Sequence, residues 1–248
     1  MRPLLASFRL YLYLAALMPL PAHADCAAPR LFVTWGTSGD FTLVEPKPVS
    51  LPPGVEAKRI AGIAIDGDNN SSYAWNWHGT VSAGSTIDLD AYRQPYAYAL
   101  PANKETGKPY GPGDIVGIGI DDDINHTYVW FRNGYVSSGS TDNIGKFRQP
   151  YRYELPKSPR TGRTYSPSDI VGMAIDGSNN YSFAWYEDGY VSAGTTEQLW
   201  KYRQPYQYRL PEGVKPSQVV DFGIDPYVPT QSTGGTAKRV YLWYWDCR

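Results

Sequence analysis

The chain is poor in the residues that most hydrolases and metal proteins use. Its 248 residues include two cysteines and three histidines, and only His78 and His126 lie beyond the N-terminal segment. No Cys/His cluster has zinc spacing, no glycine-rich loop runs into Lys-Ser/Thr, and there is no G-x-S-x-G elbow. Structural zinc, P-loop phosphate binding and the serine-hydrolase elbow are therefore without their parts. An excess of either sign of charge is missing too: 23 Lys and Arg stand against 24 Asp and Glu, a formal net charge of −1. Such a chain has no basic field for nucleic acid or an anionic membrane. Long apolar runs are absent, and "LYLYLAALMPL" near the N-terminus is too short to span a bilayer as a helix. With Arg2 and Arg9 before it and Ala22-His23-Ala24 after it, this run reads as a secretory signal peptide over residues 1–24. A secreted or periplasmic domain over 25–248, with no membrane span, is the expectation. Finally, no stretch keeps a helical period over two turns.

What the sequence does contain is one module written four times. Asp66, Asp121 and Asp176 are spaced by 55 residues, and each is followed nine residues later by Trp75, Trp130 or Trp185. A fourth copy is split, with Asp225 and Trp243 at the C-terminal end and its second half over 31–52. There "FTLVEPKPVSLP" (41–52) falls on "AYRQPYAYALP" (91–101). Each copy offers four strand-like runs, shown in the second by "DIVGIGID", "TYVWFR", "YVSSGST" and "PYRYELP". The expectation is an all-β, four-bladed β-propeller with four strands per blade, closed by pairing of the N- and C-terminal half-repeats. Its repeats run over about 58–108, 113–165, 168–215, and 218–248 joined with 26–52.

Finer expectations follow from the alignment of the copies. His78-Gly79, Asn133-Gly134 and Asp188-Gly189 read as two-residue turns. In the split copy that turn is missing, and Cys26 and Cys247 flank the gap, so a Cys26–Cys247 disulfide is expected to staple it. Along the first strand, Gly62/Ala64, Gly117/Gly119, Gly172/Ala174 and Asp221/Gly223 make a small-residue face suited to close backbone approach at the axis. Asp221 is the exception on that face. Trp75, Trp130, Trp185 and Trp243 read as core between blades, whereas Trp77, Trp200 and Trp245 are not shared by every copy and read as candidates for exposure. The stretch 226–240 reads as a long polar loop on the channel face.

The repeat length, the inner strand with small residues and Asp, the aromatic second strands ("TYVWFRNGY", "YSFAWYEDGY") and the terminal cysteine pair resemble the hemopexin-like four-bladed propellers. That resemblance implies a ligand-binding or protein-interaction scaffold with an axial cation. In the family the Asp lies at the start of the inner strand, whereas here it lies at the end, so no ligand set is carried over residue by residue.

Two constellations are candidates for chemistry. The first is Asp66, Asp121, Asp176 and Asp225, which share a face with the small residues. They suit Ca²⁺ or another hard cation in the channel, with Asp221 as a further ligand; the other reading is that each Asp caps the turn after its strand. The second is "YRQPYxY": Tyr92-Arg93-Gln94 with Tyr96, Phe147-Arg148-Gln149 with Tyr151, and Tyr202-Arg203-Gln204 with Tyr206. The split copy lacks it, reading Leu43-Val44-Glu45-Pro46-Lys47. Aromatic faces beside Arg and amides suit sugars, by stacking and bidentate hydrogen bonds; alternatively the Arg cements blades. Thr37, Thr86, Thr141 and Thr196 are read as satisfying turn backbone groups where the chain leaves the third strand. Paired carboxylates such as Asp88 and Asp90 could serve a glycoside hydrolase, but this pair is not repeated in the other blades. The leading expectation is a non-enzymatic, multivalent carbohydrate-binding protein whose partners are glycans or a surface protein.

Overall fold

The computed structural model describes residues 29–229 and 236–246; the signal-peptide segment and both cysteines lie outside them. The chain opens with β1 (Arg30–Gly36) and β2 (Lys47–Pro48). Three four-stranded units follow: β3 (Ile60–Asp66), β4 (Ser71–Asn76), β5 (Thr80–Gly84) and β6 (Arg93–Ala97); β7 (Ile115–Asp121), β8 (His126–Phe131), β9 (Tyr135–Ser140) and β10 (Asn143–Arg152); β11 (Ile170–Asp176), β12 (Tyr181–Tyr186), β13 (Tyr190–Gly194) and β14 (Arg203–Gln207). It ends with β15 (Val219–Pro229) and β16 (Thr236–Asp246). Each unit is one antiparallel sheet, and the fourth sheet has the order β15-β16-β1-β2. There β1 pairs with β16 from Arg30↔Asp246 to Gly36↔Val240, joining the two half-repeats. The inner strands β3, β7, β11 and β15 adjoin one another in cyclic succession, β15 against β3 included. The molecule is a closed four-bladed β-propeller, as the repeat pattern predicts.

The inner strands approach closely because one face is nearly bare. A Cβ added to Gly117 would lie 2.5 Å from Met173 Cγ, and one added to Gly119 would lie 3.0 Å from the backbone N of Ile175. The opposite face carries Ile63, Ile118, Met173 and Phe222, all fully buried. Each packs with the tryptophan of the preceding blade: Trp243, Trp75, Trp130 and Trp185 respectively. These tryptophans are themselves fully buried, and truncating one to alanine would cost about 3–5 kcal/mol.

Polar bonds repeat the same circuit. The indole N–H donates to a carbonyl of the next blade: Trp75 to Thr141, Trp130 to Thr196, Trp185 to Ser38, and Trp243 to Thr86 of the first blade, at 3.0–3.2 Å. The threonines thus act through their carbonyls in three blades, with Ser38 in place of Thr37 in the fourth. A backbone clasp runs beside each indole. In the second-to-third junction Glu154 N–H donates to Glu197 O at 2.7 Å and accepts from Leu199 N–H at 3.2 Å; Ser50, Ala99 and Arg209 do the same at the other three junctions.

The second-to-third strand turns carry Gly79, Gly134 and Gly189 at φ of +78°, +84° and +88°, the left-handed conformation that a two-residue hairpin requires. Two expectations are corrected. The described residues of the stretch 226–240 are not loop, because β15 and β16 stay paired to Val228↔Ala237 and Pro229↔Thr236; residues 230–235 lie outside the described residues. A β-ribbon satisfies its own backbone where a free loop would not. Trp245 is buried rather than exposed. It lies two residues after Trp243 on the same strand, so the period-two pleat sends both side chains to one face.

Candidate functional site

Alternating strand directions bring the end of each inner strand, the start of the second, the end of the third and the start of the fourth to one rim. In the first blade the rows are Asp66↔Ser71, Ser72↔Gly84 and Ala83↔Arg93. The aspartates and the head of each YRQPYxY motif therefore share one face of the ring, with the aspartates near the axis and the motif near the periphery.

Within the motif the two aromatic residues have separate tasks. Tyr96, Tyr151 and Tyr206 are committed to the fold, since their hydroxyls bond Thr141 Oγ1 at 3.0 Å, Thr196 Oγ1 at 3.1 Å and Ser38 Oγ at 2.7 Å in the next blade. Burial raises the pKa of Tyr151 and Tyr206, which keeps those hydroxyls neutral. The arginine lies flat on this tyrosine: the guanidinium carbon is 3.6, 3.4 and 3.7 Å from the ring centroid for Arg93, Arg148 and Arg203. Such stacking fixes the fork while leaving its edge in water, and all three arginines are exposed. Arg148 also pairs with Glu197 of the next blade at 2.8 Å. Asp142 holds the corresponding place beside Arg93, and Gly39 beside Arg203.

Tyr92, Phe147 and Tyr202 are different. They are 62%, 46% and 46% exposed and bond no neighbouring blade. Phe147 stacks on His126 at 4.3 Å and Tyr202 on Tyr181 at 4.4 Å. In the first blade Ser71 stands at the His126 position, which accounts for the greater exposure of Tyr92. Burial lowers the pKa of His126, which favours the neutral imidazole. Gln94 reaches Asp90 at 3.4 Å and Gln149 donates to Gly145 O at 2.9 Å. Gln204 lines a groove of about 640 Å³ with Trp200, Tyr153, Leu155, Pro156 and Tyr165. Of the tryptophans read as unshared, Trp77 is exposed and Trp200 half-buried in that groove.

The split blade keeps more of this arrangement than its sequence shows. Val33 pairs with Lys47 as Val81 pairs with Tyr96, which places Leu43 at the Tyr92 position. Leu43 is 71% exposed. Trp35, which corresponds to Ala83, has Lys47 Nζ at 5.1 Å and Arg239 Cζ at 5.3 Å from its ring centroid. The cation–aromatic contact is rebuilt there from a different set of residues, and only the strand register reveals it.

Near the axis the carboxylates divide by role. Asp66 accepts from Asn69 N and Nδ2 at 3.3 and 2.8 Å, and Asp176 accepts from Ser178 Oγ, Asn179 Nδ2 and Lys238 Nζ. The bonds from Asn69, Ser178 and Asn179 cap the turns, with Asn70, Asn125 and Asn180 in the left-handed conformation, whereas Lys238 is an ion pair reaching Asp176 from β16. Asp225 sits opposite Arg239 in the β15–β16 register. Among the described residues no group of three or more His, Cys, Asp or Glu side chains is disposed to hold a metal ion. Asp221 lies deeper and is fully buried. It accepts backbone N–H groups of Ile63 at 3.2 Å, Met173 at 2.9 Å and Phe222 at 3.0 Å, and Ile118 adds a fourth. One carboxylate thus ties together the inner strands of all four blades, acting as an acceptor of the protein's own N–H groups. As for the Asp88–Asp90 pair, burial and then the Asp88 carboxyl raise the pKa of Asp90.

No family model and no curated protein match the chain. Among solved structures it is similar to the WD40 β-propeller domain of Doa1, with 10% identity over 70% of this chain and 45% of that one and a TM-score of 0.35. It is also similar to a protein of unknown function from Bacteroides thetaiotaomicron, with 13% identity over 65% and 35% and a TM-score of 0.35. For U3-55K the values are 10%, 66%, 42% and 0.33. The chain spans less than half the length of each. Likenesses at this level add nothing to the architecture established by the sheets, and the hemopexin-like resemblance rests on that architecture alone. No helix of the described residues is long and apolar enough to cross a membrane.

Proposed function

We propose that this propeller is an exported, non-enzymatic protein that binds carbohydrate at three equivalent peripheral sites on one face. The observation that carries the reading is the set Tyr92, Phe147 and Tyr202. Each is a solvent-facing ring at the same place in three blades, beside an arginine pinned flat on a tyrosine, and none is used in joining blades. A ring face offers stacking to the C–H face of a pyranose, and a guanidinium fork held in place offers paired donors to vicinal hydroxyls. Three modest sites facing one way give avidity on a glycan-coated surface. The N-terminal segment with its Ala22-His23-Ala24 pattern supports export.

The test is a glycan array with the exported protein and with a Tyr92→Ala/Phe147→Ala/Tyr202→Ala variant. Those side chains make no blade-to-blade bond, so the variant is expected to keep its melting temperature and lose selective glycan binding. Unchanged binding by the folded variant would refute the reading, and release of shortened glycan would refute its non-enzymatic part. A second reading, docking of a surface protein across the whole face, is favoured by Leu43, which completes an exposed apolar set of four. Leu43→Ser separates the two: it leaves sugar binding intact and weakens capture of a protein partner.

A further inference from the structure

The three YRQPYxY sites share their aromatic parts and differ in charge, and the difference lies in one residue of the next blade. Thr141, Thr196 and Ser38 meet the tyrosine hydroxyls across the junctions, and the residue after each is Asp142, Glu197 or Gly39. At the second site Glu197 engages Arg148 at 2.8 Å. At the first, the Ser140 hydroxyl and, after it, the charges of Lys146 and Arg93 lower the pKa of Asp142, so a carboxylate stands before that arginine too. The third site has none. Among the described residues Arg203 enters no ion pair. Asp40, beside Gly39, is already bonded by the N–H and hydroxyl of Thr42 at 2.9 and 2.7 Å. Nor does the backbone impose glycine at position 39. A Cβ there would meet Gln207 O at 3.5 Å and Tyr206 Cε2 at 3.6 Å, ordinary contact distances, and its φ is not left-handed. A carboxylate side chain could start there without strain, yet the position is bare. Arg203 is therefore an exposed cation held 3.7 Å above the Tyr206 ring with its donor edge open.

We propose, resting on the carbohydrate reading of this face, that the Tyr202–Arg203 site takes an acidic sugar, a uronate whose carboxylate meets the open Arg203 fork. A planar guanidinium presents paired N–H donors that match the two oxygens of a carboxylate, and stacking on Tyr206 fixes the plane before the ligand arrives. At the other two sites the protein's own Asp142 and Glu197 hold that place, and a ligand carboxylate there would meet a like charge. Those sites suit neutral sugars. Gly39 is thus the residue that sets specificity: it leaves the Arg203 charge to the ligand.

The experiment is an array that pairs glucuronate, galacturonate and mannuronate glycans with their carboxyl-reduced, neutral counterparts. It is probed at pH 7 with the exported protein and with its Gly39→Glu and Glu197→Gln variants, each checked for folding by its melting temperature. The native protein should favour the uronate member of a pair roughly three- to tenfold at low ionic strength, and less in about 0.5 M salt. Gly39→Glu rebuilds the Arg148–Glu197 arrangement at the third site; it should remove the preference and leave neutral glycans bound. Should that variant fail to fold, Glu197→Gln is read instead: it frees Arg148 and should raise the uronate preference, and no rise would overturn the inference. Glycans bound without preference for the uronate, or a preference that survives in folded Gly39→Glu, overturn the inference and leave the carbohydrate reading standing. No glycan bound at all overturns both.

Discussion

Replacing Asp221 by asparagine changes charge at nearly constant volume, and its effect can be worked out from the four N–H groups around it. In the native protein Oδ1 accepts from Met173 and Phe222, Oδ2 accepts from Ile63, and the Ile118 N–H adds a further bond. An amide places an NH₂ where one of these oxygens was, and that NH₂ faces donors. At least one and up to two backbone N–H groups are then orphaned in the interior, at about 1–3 kcal/mol each. Relief from burying a charge offsets part of this, so a net loss of about 3 kcal/mol is expected, or roughly 6–12 °C in Tm for a domain of this size. Burial pushes the Asp221 carboxyl well above the usual carboxylate range, while the four N–H donors pull it down. The donors should prevail at pH 7, because a carboxylic acid here would aim its O–H at N–H groups. Calorimetry or circular dichroism at pH 7 measures the loss. An asparagine variant as stable as the native protein, within about 0.5 kcal/mol, would mean that burial keeps the carboxyl protonated, and the reasoning would fail. Asp221→Gly installs the residue of Gly62, Gly117 and Gly172 and strips all four donors. Its stability should recover partly in formate or chloride, and the native protein should show no such response.

Two further predictions concern the joints. Tyr96→Phe, Tyr151→Phe and Tyr206→Phe each delete one hydroxyl bond to the next blade and should cost about 1 kcal/mol apiece, additively because the three sites are far apart; urea midpoints of the single and triple variants check this. Arg163 grips Asp169 with two bonds of 2.9 Å on the linker between the second and third blades. Burial raises Asp169, but Arg163 and the N–H and hydroxyl of Ser166 outweigh it and hold the carboxyl below its ordinary value. A depressed folded pKa gives stability that is present above the unfolded pKa, about 3.9, and is lost as pH falls through the folded one. Arg163→Met should therefore lower the melting temperature at pH 7 and lower it much less at pH 2; an equal loss at both would contradict the ion pair.

The ring was legible because its causes repeat. Trp75, Trp130, Trp185 and Trp243 occur at one strand position, and a residue that fills the wedge between blades must recur in each. The Gly79, Gly134 and Gly189 turns were legible because two-residue hairpins demand positive φ. What departed from the repeat was harder to read. Asp221 stands out in sequence only as a carboxylate among glycines, and its role needs the four N–H groups that converge from distant strands. Trp35 and Lys47 replace the Arg–Tyr contact from different strand positions, so alignment of the motif alone reads the split blade as empty. Within YRQPYxY the sequence named the right segment and left the tasks undivided: the fold uses Tyr96, Tyr151 and Tyr206, and the free surface is that of Tyr92, Phe147 and Tyr202.

The central claim is that three like sites on one face bind sugar, and the stoichiometry of binding tests it most directly. Calorimetric titration with a monovalent form of the best glycan from the array should give three sites per chain. Single Tyr92→Ala, Phe147→Ala and Tyr202→Ala variants should each give two, and the Leu43→Ser variant should still give three. A single site in the native protein, or a stoichiometry indifferent to all three aromatic residues, would contradict the account.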